Sequence, residues 1–140
     1  MFGGDCRVSG LGVGTNASGT TGEIRATNNI TAYYSDIRLK NVVGYIENAI
    51  EKVKKLKGFY FKANDIAKVL GYDSDKVEVG VSAQDVLSVL PEIVKPAPVD
   101  SNYYTLDYSK LVPLLIEAIK EQESKIQGLY NIINEMKKSQ

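Results

Sequence analysis

The sequence predicts an α+β chain: a short β-rich lead, a small domain of mixed helices and strands, and one long C-terminal helix. Three observations carry this reading. Seven of the twelve glycines fall at or before Gly22. From residue 44 to residue 106, runs of helical periodicity alternate with short β-prone runs. From about residue 108, a seven-residue apolar repeat continues almost to the end.

The lead interleaves its glycines with Ser9, Thr15, Asn16, Ser18, Thr20 and Thr21. Few of these side chains can offset the entropy of ordering the backbone. Glu23-Ile24-Arg25-Ala26-Thr27 alternates polar and apolar, as a strand does, and Asn28-Asn29 reads as a turn before the run from Ile30 to Tyr34. Such a segment either orders against copies of itself or stays a flexible tail.

Ile46, Ala49, Ile50, Val53 and Leu56 recur at helical spacing and predict a helix from Gly44 to Lys57, stopped by Gly58. Phe59-Tyr60-Phe61 is β-prone. Asp65 to Leu70 reads as a short helix ended by Gly71, and Val77 to Val81 as a strand. Ala83 to Leu90 reads as a helix stopped by Pro91. Pro91, Pro96 and Pro98 mark a loop, and β structure resumes from Tyr103 to Leu106.

Asp107 or Ser109 is the expected cap of the last helix, about residues 108–137, with Pro113 in its first turns. Val112, Ile119, Ile126 and Ile133 occupy one heptad position; Leu115, Gln122, Leu129 and Met136 occupy the other. A terminal, sharply seven-periodic helix favours coiled-coil self-association over packing on its own core. Branched residues at a with leucine at d lean towards two strands, and Gln122 would fix register.

The totals narrow the function. Seventeen basic and seventeen acidic residues cancel, so no strong field draws nucleic acid or an anionic membrane. No apolar run approaches the ~18 residues of a membrane span, and the N-terminus lacks signal-peptide features. The single cysteine, Cys6, forms no intrachain disulfide. With no histidine and one cysteine, the usual ligand sets of zinc, haem and iron–sulfur centres are missing, so no metal or other cofactor is expected. These features fit a reduced, soluble, intracellular setting during folding.

One stretch carries chemistry: Ser35-Asp36-Ile37-Arg38-Leu39-Lys40. A chain without histidine that uses a serine nucleophile needs another base, and lysine is the main candidate. The bland reading is that Ser35 caps a helix and that Asp36 and Lys40 form a surface ion pair. Regular geometry opposes a Ser35–Lys40 dyad. Five residues on a helix set side chains roughly 140° apart, and on a strand they lie on opposite faces. The two meet only across a turn or between chains. An open lysine is protonated and accepts no proton; burial, or the Arg38 charge nearby, would favour its neutral form. Such a site stays silent until the fold around it is complete.

The same stretch, followed by a helix, resembles the start of the C-terminal intramolecular chaperone auto-processing domain of phage tailspikes and tail fibres, including endosialidases; a relative occurs in myelin regulatory factor. Gly80-Val81-Ser82-Ala83-Gln84-Asp85-Val86 resembles the family's Gly-x-x-Ala-Gln-Glu-Val block, with Leu90-Pro91-Glu92-Ile93-Val94 after it. Tyr104-Thr105-Leu106-Asp107-Tyr108 resembles its tyrosine-bearing strand, and Leu111 to Lys120 its terminal helix. The likeness covers about residues 31 to 138, in the family's order of blocks.

The resemblance implies a homotrimer whose terminal helices form a trimeric coiled coil. Residues 1–34 would end the β-rich fibre stalk of the same polypeptide, and residues 35–140 would be the chaperone. It implies a catalytic dyad of Ser35 and Lys40, with cleavage among Tyr34, Ser35 and Asp36. Attack on the Tyr34 carbonyl gives an ester by an N-to-O shift. Attack on its own carbonyl would close a four-membered ring, so cleavage at Ser35–Asp36 would need another serine or water; Tyr34–Ser35 is the preferred bond and its neighbour stays open. Backbone N–H groups between Ser35 and Lys40 are the candidate oxyanion donors. The implied protein is a tail-fibre precursor folded in the host cytoplasm, whose chaperone part leaves after cleavage. It takes no nucleic acid, membrane or small-molecule substrate. Asp85 stands where glutamate is common, and the short region from Ala63 to Val77 leaves little for a clasp around the fibre. Two readings compete: a non-enzymatic trimerisation module, and a fibre tip whose Tyr33, Tyr34, Tyr103 and Tyr104 contact a host.

Overall fold

The computed structural model describes residues 8–19, 22–28, 30, 35–72 and 75–139. Cys6, Tyr33 and Tyr34 lie outside them, as does most of the strand expected from Ile30 to Tyr34. The architecture is α+β, in two compact units, Met1–Val43 and Gly44–Gln140.

In the first unit, β1 (Leu11–Val13) pairs in parallel with β2 (Ile24–Ala26), Leu11 facing Ile24. The alternating run predicted β2; β1 carries no such signal. The connection folds back tightly on β1: a Cβ at Gly12 would lie 2.2 Å from the Thr15 carbonyl oxygen and 2.7 Å from the Ala17 nitrogen. That approach admits only glycine. Further along stands a single 3₁₀ turn, Ile37–Leu39.

The second unit contains the buried core. Helix α1 (Ala49–Lys54) packs on α4 (Leu111–Lys138). Ala49 and Leu114 are fully buried and Ala118 nearly so, with Ile46, Ile50, Val53, Leu56 and Leu90 packed around them. Burying a leucine such as Leu114 contributes about 1.5–3 kcal/mol. The periodic apolar residues expected from 46 to 56 all face this core, but the helix is shorter than expected and omits residues 44–48. Asn48 takes a left-handed conformation (φ 53°) and breaks the helix there. Its own side chain makes no cap. Instead Glu121 of α4 caps α1: the Ala49 amide donates to Oε1 at 2.7 Å and the Ile50 amide to Oε2 at 3.0 Å. The carboxylate takes up two of the N–H groups that a helix start leaves open.

Strand β3 (Gly58–Phe61) pairs antiparallel with β4 (Glu78–Val81). Between them α2 (Asp65–Val69) starts at Asn64, whose side chain accepts from the Ala67 amide. It ends before Gly71, whose φ of 94° suits glycine. Gly80 is buried beneath Tyr108: a Cβ there would lie 2.8 Å from the Tyr108 hydroxyl and 3.1 Å from the Phe61 ring. That hydroxyl accepts from the Val81 amide at 3.2 Å, fastening β4 to the approach of α4.

Helix α3 (Ala83–Leu87), capped by Ser82, stops three residues short of the expected Leu90. Pro91 opens a 3₁₀ turn, Pro91–Ile93. The proline-marked loop contains a strand, β5 (Val94–Pro96), antiparallel to β6 (Tyr104–Leu106). Proline is tolerated at the end of so short an edge strand. Val86, Val89 and Ile93 are buried where α3 meets this pair.

Asp107 caps a 3₁₀ turn, Tyr108–Lys110, that leads into α4. Pro113 falls in the first turn of α4, as expected. The 28 residues of α4 span about 42 Å at ~1.5 Å per residue. The part of α4 from Leu114 to Glu121 meets α1; Ile119, Ile126, Leu129, Ile133 and Met136 are each at least half exposed. Among the described residues no helix is long and apolar enough to cross a membrane.

Candidate functional site

The Ser35–Lys40 stretch folds into a single turn. Asp36 enters it extended (φ −64°, ψ 127°), residues 37–39 make one 3₁₀ turn, and Lys40 leaves extended (φ −128°, ψ 135°). The chain doubles back on itself, so the last residue returns beside the first. Lys40 Nζ donates to Ser35 Oγ at 3.1 Å and to the Ser35 carbonyl oxygen at 3.2 Å. Neither a helix nor a strand brings these two side chains together; one turn flanked by extended residues does. The contact forms within one chain.

Two expectations for the turn are corrected. The cap is Asp36, not Ser35: its Oδ1 accepts from the Arg38 amide at 2.9 Å. The ion pair joins Asp36 to Arg38, not to Lys40. Arg38 Nη2 reaches Oδ2 at 2.6 Å, and Nε lies 3.1 and 3.2 Å from the two carboxylate oxygens. Planar forks of this kind are the strong form of carboxylate recognition. The Arg38 side chain, then its amide, and more weakly the Lys40 charge hold Asp36 below the usual carboxylate range. Arg38 is thus occupied by a carboxylate, which blunts the cation expected to act on Lys40.

The oxyanion donors narrow as well. The Arg38 amide is taken by the Asp36 side chain, the Leu39 amide by the Asp36 carbonyl at 3.1 Å, and the Lys40 amide by the Ile37 carbonyl at 3.1 Å. Of the five amides from Asp36 to Lys40, those of Asp36 and Ile37 have no acceptor among the described residues.

Ser35, Asp36, Arg38 and Lys40 are all exposed. So are Ile37 and Leu39, at 65% and 63%. Among the described residues the turn has no buried side chain and is closed by polar bonds. Tyr103 and Tyr104 are also part-exposed, at 43% and 47%, with Tyr104 on β6. The Asp36–Arg38 pairing was foreshadowed by an aspartate followed two residues later by a long cation at a turn. The Glu121 cap had no local signal, because its partners are 71 and 72 residues away.

These features define a small α+β module that presents a serine–amine turn and ends in a helix with an unpaired apolar face. Residues 35–95 match the model of the Peptidase S74 family, described as chaperone of endosialidase. The domain formed by these residues is of that family. It is also 37% identical over 98 residues to long tail fiber protein Gp37 of Enterobacteria phage K3, covering 68% of this chain and 8% of that protein. Gp37 of Enterobacteria phage T2 is likewise 37% identical over 98 residues, covering 68% of this chain and 7% of that protein. Gp37 of Enterobacteria phage M1 is 38% identical over 97 residues, covering 68% of this chain and 38% of the relative. The chain therefore spans well under half the length of these relatives.

Proposed function

We propose that this chain is the intramolecular chaperone of a phage tail fibre, that it trimerises and registers the fibre, and that it frees itself by a Ser35–Lys40 autoproteolysis. The observation that carries the reading is the 3.1 Å contact between Lys40 Nζ and Ser35 Oγ, on a turn with no packing role. The family match and the Gp37 relatives supply the fibre context.

The reaction follows from the pair. A neutral Lys40 amine takes the Ser35 hydroxyl proton as Oγ attacks the Tyr34 carbonyl carbon. The tetrahedral intermediate collapses with loss of the Tyr34–Ser35 C–N bond, and Lys40 returns the proton to the leaving Ser35 nitrogen. The Tyr34 acyl group is then an ester on Ser35 Oγ. Water hydrolyses that ester to a Tyr34 carboxylate and a free Ser35 hydroxyl, leaving a new amino terminus. The turn's amides left without an acceptor, those of Asp36 and Ile37, are the local candidates for the developing oxyanion.

In the single chain the amine is exposed and donates to Ser35 Oγ. That is the resting direction of the hydrogen bond, since an ammonium accepts nothing. Drying of the turn on assembly favours the neutral amine and reverses the bond. Assembly has a natural seam in the heptad face of α4, whose apolar side chains are about half exposed or more in one chain. Three copies of the seam closing together would set the fibre chains in register before the bond is cut.

The test joins residues 1–140 behind a fibre segment from a Gp37 relative and follows chain mass on denaturing gels. The parent is expected to release a fragment beginning at Ser35. Ser35→Ala and Lys40→Ala are expected to lower the rate by at least ~10³-fold while leaving the trimer intact in light scattering. Cleavage that persists in either variant rules out the dyad. An uncleaved parent trimer supports the non-enzymatic chaperone instead, and a monomer at micromolar concentration removes both.

A further inference from the structure

The serine and the amine are only two of the side chains on this turn. The 3₁₀ turn rests on two backbone bonds, Leu39 N to Asp36 O and Lys40 N to Ile37 O, each 3.1 Å. One such turn is marginal by itself, because few bonds offset the fixed dihedrals. Ile37 and Leu39 are largely exposed and, among the described residues, neither is part of a buried core. What remains is the Asp36 carboxylate, which receives one contact from the Arg38 amide and three from its guanidinium. Of these, the bond from the Arg38 amide closes the turn beside the backbone bonds, and the guanidinium contacts occupy the carboxylate.

The pairing also settles a competition. Asp36 stands four residues before Lys40, close enough in sequence to capture its amine in an ion pair. An amine held by a carboxylate is both displaced from Ser35 and kept charged. In the structure Arg38 fills both carboxylate oxygens, and Lys40 Nζ rests on Ser35. Arginine suits this task better than lysine, because its planar fork engages both oxygens at once.

We propose that Asp36 and Arg38 are the positioning pair of the Ser35–Lys40 site: Asp36 builds the turn, and Arg38 occupies the Asp36 carboxylate so that it does not take the Lys40 amine away from Ser35. The proposal rests on the self-cleavage reading above. It assigns neither residue a direct part in bond making or breaking. It also orders the two residues: Arg38 is needed only because Asp36 is charged.

That ordering gives a test that general damage to the turn does not mimic. The same fibre fusion is used, with trimer content checked by light scattering. Asp36→Ala and Arg38→Gln are each expected to slow cleavage by at least ~10-fold, the scale of a mispositioned reacting group. Asp36→Asn keeps an oxygen for the Arg38 amide and removes the rival charge. It is expected to stay within about threefold of the parent. The double variant Asp36→Asn/Arg38→Gln is expected to recover to within about threefold of Asp36→Asn. Arg38→Gln at the parental rate overturns the proposal, as does a double variant no faster than Arg38→Gln alone.

A second measurement separates this proposal from the cleavage reading. In the isolated 140-residue chain, nuclear Overhauser contacts between the Lys40 and Ser35 side chains are expected in the parent and in the double variant. They are expected to be lost in Arg38→Gln. If the parent fusion never cleaves but these contacts follow that pattern, the positioning pair stands and the catalytic reading falls. If the contacts persist in Arg38→Gln, the positioning pair falls whatever the cleavage rate.

Discussion

Two parts of this chain are held by opposite means. The α1–α4 pair is a core: Ala49 and Leu114 are fully buried, and one carboxylate from a distant helix closes the end of α1. The Ser35–Lys40 turn has no buried residue at all and depends on short polar bonds in water. Burial is non-directional and needs no pairing of charges, so the core can be complete in a single chain. Exposed polar bonds are individually weak and screened, so the turn has a shape but little resistance. The self-cleavage proposed above would benefit from that weakness, because chemistry that waits for assembly must not be finished beforehand. The contrast between a finished core and an unfinished turn is what the following substitutions sharpen or break.

The largest effect is expected on the far face of α4. Ile119 and Ile126 are 65% and 53% exposed and lie outside the buried cluster. Ile119→Asp together with Ile126→Asp places charges in the proposed seam and is expected to abolish self-association, read by sedimentation equilibrium. Circular dichroism of the α1–α4 region is expected to keep its helical content, apart from fraying of the end of α4. Unchanged association would remove the seam from the proposed assembly and leave the turn without a means of being dried.

Leu114→Ala comes next. Truncating a fully buried leucine costs about 2–5 kcal/mol, depending on how far the site collapses. The loss is expected in the midpoint of urea unfolding, with the Lys40–Ser35 contact unchanged by NMR until the chain unfolds. A cost below ~1 kcal/mol would mean that the single chain does not rely on this core.

The sequence disclosed these two regions unequally. Every apolar residue from Ile46 to Leu56 that periodicity assigned to a buried face is found there, and the heptad face of α4 is apolar as written. Periodicity reports which side chains want burial, however, not where backbone helix begins. It therefore ran through Asn48, where a left-handed residue breaks the helix. The strand β5 was hidden because prolines argued for a loop, and its pairing with β6 is a tertiary fact. At the candidate site, Ser35 and Lys40 were legible through the family resemblance but not through spacing. Their meeting depends on a turn held by Asp36 and Arg38, where spacing alone suggests a Ser35 cap and an Asp36–Lys40 ion pair. The Glu121 cap was illegible for a similar reason, since nothing near residue 49 announces a carboxylate from residue 121.

Glu121 gives the smallest effect and the finest test of the comparison, because it is a polar device serving the buried region. Hydrogen bonds from the Ile50 and Ala49 amides, in that order, hold its carboxyl below the ordinary glutamate range, with Lys125 and Lys52 adding attraction. A carboxyl whose folded value lies below its unfolded value stabilises the fold above the unfolded value, near ~4.3. That contribution is lost as pH falls through the folded value. Glu121→Gln still offers one carbonyl oxygen but no charge, so at pH 7 it is expected to lower the thermal midpoint less than Leu114→Ala does. Asp36, Glu51 and Asp107 are also held low and give the parent further acid sensitivity. The informative quantity is therefore the difference between parent and variant: it is expected to be constant near neutrality and to shrink below about pH 4.3. A difference that stays constant into acid would show that α1 is held by its apolar face alone. The core would then owe nothing to the kind of bond on which the Ser35–Lys40 turn entirely depends.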